Sequence, residues 1–489
     1  MKITRTMLKI YAEEVNSPAR KSRRILYRDM YLAFNGGLYP LILEAISKEF
    51  KDPQAVSELK ARLVPINILQ KVIKKLAGVY IESPMRSPVE ESDDDAELLE
   101  DYEDITRFNI RQKQANRYLE LFKKNLKEIF TDPATKRPMI RNLAPHTYEV
   151  FNVKSANKAQ ADMVCKIVRD SMNVSEQELH WYSDESFFIT DGAGIVLSKE
   201  MAALENGDGK NPAKSLPFVY KTKSTDGVDP VVDDSLFRIS VAIPIVLTDL
   251  FFACKYQCWS IIYTIGVKGE INRNPSSVIA LDFSEGAQNT GQQPVIDAIT
   301  PTVDSDKVIK MIEATLNMYL SSVGLSGGTL STGQSASDVV SGVSKMLDSA
   351  EAIEGKKDQQ DDMLEDEDMT WEKIKVMIPY WRRNGMVADP LNTEFSKAFR
   401  VSVTFQEPKA MISEKDRITT IKDKLAAKLT SWRRALIEMN PDYTTDQIDE
   451  LMEEITEDMA KNPQVYGMQS PPVVAPPPVE EEEEDGLQS

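Results

Sequence analysis

The stretch that decides the fold is residues 235–259, which read SLFRISVAIPIVLTDLFFACKYQCW. Asp233 or Asp234 just before it can cap a helix, because a short acidic side chain accepts a hydrogen bond from a free backbone N–H. The predicted helix is apolar on nearly every side, and Pro244 is expected to bend it. A soluble chain can bury such a helix in its own core or in a seam between identical subunits. The sequence leaves both options open.

The same stretch is too interrupted to predict a membrane span. Between Ile239 and Ala253 it contains Pro244 and Asp249. Its uncharged run, from Ile239 to Thr248, is well short of the roughly 20 residues that a spanning helix needs. We therefore expect no membrane span.

A second helix is predicted after a short interruption. Residues 265–302 are rich in glycine and proline around the strand-like 277–283, SVIALDF, which indicates a small β-rich insertion. Helical spacing resumes after a cap at Asp304 or Ser305 and continues to Val323. The predicted order is helix, small β module, helix.

A loop rich in glycine and hydroxyl side chains follows, with the sequence GLSGGTLSTGQS at residues 324–335. Gly328, Gly333 and Ser335 match the spacing of a phosphate-cradling loop. However, Gln334 stands where a lysine must reach the phosphates, and no apolar strand leads into the loop. We therefore expect no nucleotide binding here, and a long helix afterwards through Ile353.

The flanking regions predict an α+β protein that is mainly helical. The N-terminal half contains helices near 66–80 and 159–172, a basic amphipathic helix at 111–129, and short strands at 146–151 and 186–190. The acidic stretch 90–104 is typical of a solvated loop or helix start. A strand at 399–405 precedes three helices within 413–463, and the Pro- and Glu-rich tail from 464 is expected to stay disordered.

Size and charge limit the function classes. A chain of 489 residues exceeds what one core usually supports, so two to four packed units are expected. The net charge of −18 argues against tight nucleic-acid binding by bulk attraction. The first 28 residues are nevertheless basic, and this arm either touches DNA or an acidic partner or is a solvated helix face.

Catalytic and metal-binding patterns are not apparent in the sequence. His146 and His180 are far apart, and structural roles are favoured for both. Cys254 and Cys258 lie one turn apart on the apolar helix, where packing is favoured over metal binding; Cys165 is the third cysteine. Three cysteines and no apolar leader after Met1 fit synthesis in a reducing cytoplasm. We expect no enzymatic activity and no cofactor.

Several segments, in order, resemble the portal proteins of tailed bacteriophages, over about residues 25–463. The segments that carry this resemblance are 67–84 (NILQKVIKKLAGVYIESP), 216–218, 230–233, 335–344 (SASDVVSGVS), 401–408 (VSVTFQEP), 429–431 and 440–442. No single segment is as specific as a catalytic motif. The resemblance implies a multi-domain portal fold with wing, stem, clip, tunnel loop and crown, of which twelve copies usually close a ring at one capsid vertex.

The resemblance divides the chain as follows: basic arm and wing 1–234, stem helix 235–264, clip 265–302, stem helix 303–323, tunnel loop 324–336, long helix and wing strand 337–412, crown helices 413–463, and tail 464–489. The helix, β module, helix order inferred from the pattern alone agrees with stem, clip, stem. The clip is short and poor in marked motifs.

Three sets of site residues follow from this division. The DNA-contacting tunnel loop would comprise Leu325, Ser326, Gly327, Gly328, Thr329, Leu330, Ser331, Thr332, Gly333, Gln334 and Ser335; the alternative is a plain connector. The partner-binding rim of the clip would comprise Lys268, Glu270 and Arg273. The subunit interface would include Ile245, Phe251, Leu316 and Tyr319.

The function implied is a head-to-tail connector in the virion, assembled in the host cytoplasm, through which DNA is packaged and ejected. Expected partners are double-stranded DNA, terminase, adaptor and tail proteins, and the major capsid protein or scaffold. An alternative is another α-rich phage head or scaffold component without a channel. A nucleotide-driven motor is disfavoured by Gln334.

Overall fold

The computed structural model of the protein describes residues 1–49, 53–90, 92–197, 209–258, 261–265, 267–268, 282–283, 295–299, 304–325, 342–388, 391, 393–405, 421–422, 434–436, 451–452 and 454–455. The chain divides into two compact units, 1–408 and 409–489. The described residues of the second unit are helical, and Ile421 and Leu436 among them are buried. The rest of the description concerns the first unit.

The helices of the first unit are α1 (Arg5–Val15), α2 (Pro18–Phe34), α3 (Leu38–Glu49), α4 (Pro53–Arg62), α5 (Ile68–Leu76), α6 (Asp93–Thr106), α7 (Phe108–Phe122), α8 (Ser235–Cys258), α9 (Ser305–Ser322) and α10 (Gly342–Arg383). The strands are β1 (Met85–Pro88), β2 (Lys124–Thr131), β3 (Pro138–Asn142), β4 (Tyr148–Phe151), β5 (Met163–Arg169), β6 (Glu178–Tyr182), β7 (Phe187–Thr190), β8 (Phe218–Thr222), β9 (Ile261–Ile265), β10 (Val267–Lys268), β11 (Asp282–Phe283), β12 (Val295–Ile299) and β13 (Val401–Thr404).

The protein is α+β, with about 53% of residues in helices and 16% in strands, which agrees with the predicted class. Two antiparallel sheets occupy the N-terminal half, with strand orders β3-β2-β8 and β4-β5-β6-β7. A buried cluster that includes Leu126, Val164 and Phe218 joins the two sheets. Helix α1 packs against the other face of the four-stranded sheet, through Leu8 and Ala12.

The helix, β module, helix order is confirmed. Helix α8 ends at Cys258, and strand β9 then pairs antiparallel with β12, in register from Ile261 opposite Ile299 to Ile265 opposite Val295. Between these strands, β10 pairs with β11. Helix α9 begins at the predicted cap, since the Asp304 side chain accepts a hydrogen bond from the Lys307 N–H. The two helices therefore flank two short antiparallel strand pairs.

The base of α8 belongs to the largest core, which also contains side chains of α2, α3, α5 and α7. Leu236, Tyr27 and Phe122 are among its buried members. Asp233 accepts a hydrogen bond from the Ser235 N–H, as expected of a residue just before the helix. Thr248 donates its hydroxyl to the carbonyl of Pro244, which has no N–H of its own to offer to the helix.

Helix α10 is the longest element, with 42 residues. Its C-terminal half packs Trp371, Met377 and Trp381 into a second core with α6 and α7. Four side chains that follow α10 also belong to this core: Val387, Leu391, Phe395 and Phe399. Phe108 stacks on Trp371 with ring centroids 4.6 Å apart. The predicted long helix is confirmed, and so is the strand after it, where β13 pairs with β1.

Two sequence predictions were wrong. The helix expected near 159–172 is strand β5, a central strand of its sheet. Met163, Val164 and Cys165 are all buried because both faces of the strand are covered, so the alternation that marks a half-exposed strand is missing. The helix expected at 111–129 ends at Phe122, and Lys123 at φ 57° turns the chain into β2.

Candidate functional site

Two of the three predicted site sets fall mainly outside the described residues. Of the tunnel loop, only Leu325 is described, and it packs against the core at the base of α8 and α9. Of the clip rim, Lys268 lies in β10, whereas Glu270 and Arg273 are outside the described residues. The site that can be built from contacts is therefore the surface of α8 and α9.

The apolar side chains of α8 and α9 are only partly covered by the rest of the chain. On α8, Leu236, Ile243 and Leu250 are buried, but Phe251 is 56% exposed. On α9, Leu320 is the one buried side chain, and Met318 is 75% exposed. A monomer thus presents a long apolar surface along its two helices, of the kind that marks an interaction site.

The four predicted interface residues fall into two groups on this surface. Ile245 and Tyr319 are half-buried and pack against the core at the helix base, whereas Phe251 points away from it. Leu316 is also half-buried. Ile245 therefore supports the fold of the single chain, and Phe251 is the residue best placed to contact a neighbour.

A cavity of about 290 Å³ lies at the base of the two helices. Apolar side chains including Ile73, Leu236 and Tyr319 line it, and Glu120 and Lys223 lie at its margin, 2.7 Å apart. Burial raises the pKa of Tyr319 to about 12. Burial also lowers the pKa of Lys123, because its effect is larger than the opposing effect of nearby Glu120. Apolar contacts therefore hold the C-terminal end of α9, and the ion pair between Glu120 and Lys223 lies at the margin of these contacts.

Helix α10 is anchored by a buried ion pair to the three-stranded sheet. Lys127 of β2 donates to Asp366, to Gln112 Oε1 at 2.7 Å and to Thr370 Oγ1 at 3.0 Å. Burial lowers the pKa of Lys127 and raises that of Asp366, and each partner opposes the shift of the other. Removing either one would leave a buried charge without its partner.

A second buried network of charged and polar side chains is centred on Glu367, the residue after Asp366 on α10. Arg86 donates to both carboxylate oxygens of Glu367 at 2.7 Å and to Glu103 at 2.8 Å, while Tyr80 donates to the same Glu367. Burial alone would lower the pKa of Arg86, but Glu367 and Glu103 outweigh it and raise that pKa. The two groups together fix the middle of α10 to the N-terminal half.

The basic arm is not simply a solvated helix face. Arg20, Arg23 and Arg24 turn inward and contact the buried carboxylate of Glu149 at 2.7, 3.1 and 3.1 Å. Other cations of the arm, such as Lys2, Arg5 and Lys9, are exposed. Three arginines of the arm are therefore used inside the chain, because Glu149 requires a counter-charge.

Lys124 lies beside this arginine cluster and is fully buried. Its Nζ lies 4.6 Å from the centre of the Tyr27 ring, 5.2 Å from that of Tyr148 and 3.9 Å from Asp229 Oδ1. Burial, which the carboxylates only partly offset, lowers its pKa to about 8. This cluster could not be predicted from the sequence, because its members are distant along the chain; Arg20 and Glu149, for example, are 129 residues apart.

The histidines and described cysteines have ordinary surroundings. His146 packs against Tyr31 with ring centroids 5.4 Å apart, and burial lowers its pKa. His180 Nε2 lies 2.7 Å from Glu178 Oε1. Cys165 and Cys254 are free thiols. Within the described ranges, no group of three or more histidine, cysteine and acidic side chains is placed to hold a metal ion.

One described helix has the length and composition to cross a membrane, at Ser235–Cys254. About a third of this stretch is buried within the chain. A single helix of this kind is weak evidence for a membrane span, because the core helix of a soluble protein can have the same length and composition. The finding is consistent with the prediction of no membrane span.

Comparison with known proteins adds no assignment to this description. No family model matches the chain, and no curated protein matches it significantly. The functional argument therefore rests on the residues and contacts given above.

Proposed function

We propose that the protein is the portal subunit of a tailed double-stranded DNA bacteriophage. In this proposal identical copies, twelve in the usual portal, form a ring at one capsid vertex. Terminase packages DNA through the ring, and adaptor and tail proteins later attach to it. The major capsid protein or scaffold surrounds it in the virion, after assembly in the host cytoplasm.

The observation that carries this proposal is the incomplete burial of α8 and α9. Phe251 and Met318 would leave water if the same helices of neighbouring copies packed together. Burial of apolar surface is the main favourable term in such association, at roughly 25 cal/mol per Å². Head-to-tail contacts between identical subunits close a ring when the rotation between them allows it.

The β module and the charge also support the proposal. Two antiparallel strand pairs between the two helices agree with a clip carried by a stem. An acidic conduit suits moving DNA, because carboxylates discourage phosphates from settling, and screening over roughly 10 Å at 0.1 M salt keeps this repulsion short-ranged. The long helix α10 would connect the tunnel loop to its buried anchors at Asp366 and Glu367.

Negative-stain imaging of the purified chain, together with its native mass, tests the proposal. We expect one closed oligomer with a stain-filled centre. A monomer at high concentration would overturn the proposal, and so would a solid particle, which is the result expected of a head or scaffold component without a channel.

A further inference from the structure

The outer face of α7 is cationic in an otherwise acidic protein. No acidic residue occurs from Ile105 to Leu119, and this stretch carries four cations that are exposed or half-buried. These cations are Arg107, Arg111, Lys113 and Arg117. At 3.6 residues per turn, Lys113 and Arg117 lie on the side turned away from the buried residues, whereas Arg111 lies roughly 160° around the axis from Lys113. The outer surface is therefore formed by Lys113 and Arg117 together with Ile110, and by Arg107 just before the helix. We call it the α7 face.

The α7 face has no counter-charge within the described part of the chain. None of Arg107, Lys113 and Arg117 lies within 4.0 Å of a carboxylate oxygen there. Arg117 has a buried Nε atom without a hydrogen-bond partner, and burial lowers its pKa. Partly buried cations of this kind are costly unless an anion meets them.

An apolar side chain at the centre of the α7 face indicates a protein partner. Ile110 is 60% exposed and lies on the same side of the helix as Lys113 and Arg117. Protein interfaces combine an apolar centre with a charged rim that is rich in arginine. A DNA backbone offers phosphates and sugars but no apolar pocket for an isoleucine.

A complementary surface exists on the neighbouring helix of the same chain. An open groove of about 580 Å³ runs beside α6, with Leu98 among its lining residues. Five carboxylates line it, from Asp94, Asp95, Glu97, Asp101 and Glu394, against the single cation Arg382. Arg382 pairs with Glu394 at 2.7 Å. We call this surface the α6 groove; its charge is opposite to that of the α7 face.

We propose that the α7 face of one copy docks into the α6 groove of the next copy, with Arg107, Lys113 and Arg117 meeting the carboxylates of the groove. This inference rests on the proposed ring and specifies a contact within it, additional to the apolar surface of α8 and α9. Because the two surfaces differ, the contact is head-to-tail, as a ring requires.

Charge reversal tests the contact. Arg107→Glu with Lys113→Glu, or Glu97→Lys with Asp101→Lys, should each raise the concentration at which the oligomer half-dissociates by about 100-fold. The combined four-site variant should return to within about 10-fold of the unmodified chain, since it restores opposite charges. Lys2→Glu with Lys9→Glu, an equal change of charge at two exposed lysines near the N-terminus, is the matched control and should assemble normally.

Cross-linking locates the contact directly. A zero-length carbodiimide applied to oligomers mixed from ¹⁴N- and ¹⁵N-labelled chains should join Lys113 to a carboxylate of the α6 groove in mixed-isotope peptides. Rings that form normally in both reversed variants, or that give no such mixed peptide, would overturn the inference and leave the portal proposal intact. Protection of the α7 face only when duplex DNA is added would also overturn it, in favour of a DNA contact. A chain that never forms a ring would count against the portal proposal itself.

Discussion

Phe251→Asp is the substitution that best separates assembly from folding. The side chain is 56% exposed in the single chain, so neighbouring copies can still cover about 110 Å² of a phenylalanine of roughly 200 Å². At roughly 25 cal/mol per Å² this is about 3 kcal/mol for each contact between subunits, or about 100-fold in association. An unpaired carboxylate in the same place adds a further penalty of several kcal/mol.

The loss of the part of Phe251 that is already buried should lower the unfolding free energy of the single chain by only about 2 kcal/mol. We therefore expect a folded protein, by circular dichroism, that sediments as a monomer at concentrations where the unmodified chain is an oligomer. Met172→Asp, a change at a fully exposed methionine distant in sequence from α8, is the control and should assemble normally. Unchanged oligomers of Phe251→Asp would refute the assignment of this surface to the subunit interface.

Three further predictions concern the buried charges and the loop. Lys127→Met leaves Asp366 buried without its cation and should lower the unfolding free energy by about 3–5 kcal/mol in urea titrations, whereas adding Asp366→Leu should restore most of it; equal losses in both variants would contradict the anchor. The pKa of Lys124 is lowered from 10.5 to about 8 on folding, so between these pH values the unfolded chain binds more protons and stability rises with pH. Lys124→Met should remove about 3 kcal/mol of that rise, and parallel stability curves for the two proteins from pH 8 to 10 would show that Lys124 does not titrate there. Removing 327–330 should leave rings that bind the motor but package or retain DNA poorly; normal packaging would make the loop a connector, and loss of rings would make it part of the scaffold.

The elements that decide the fold could be predicted because their signals are local. Helices α8 and α9 have caps at Asp233 and Asp304 and long apolar sequences, and the turn-rich residues between them indicated the β module. The failures have local causes too. Strand β5 is covered on both faces, so it lacks the alternation of a half-exposed strand. The break between α7 and β2 occurs at Lys123 in the left-handed region, where a glycine or asparagine would have predicted the end of the helix.

The charged parts of the candidate site could not be predicted because their partners are distant in sequence. Lys127 and Asp366 are 239 residues apart, and Arg20 and Glu149 are 129 residues apart. Composition alone assigned the arginines of the arm to solvent or to an external partner. Only the fold shows that some are used internally, whereas Arg107, Lys113 and Arg117 form no ion pair within the described part of the chain.

A cryo-electron microscopy reconstruction of the assembled chain tests the central claim most directly. The account predicts a rotationally symmetric ring around an open axis, with α8 and α9 of adjacent copies packed together and Phe251 buried between them. An assembly without an open axis would contradict it, and so would a ring in which Phe251 and Met318 remain exposed to solvent.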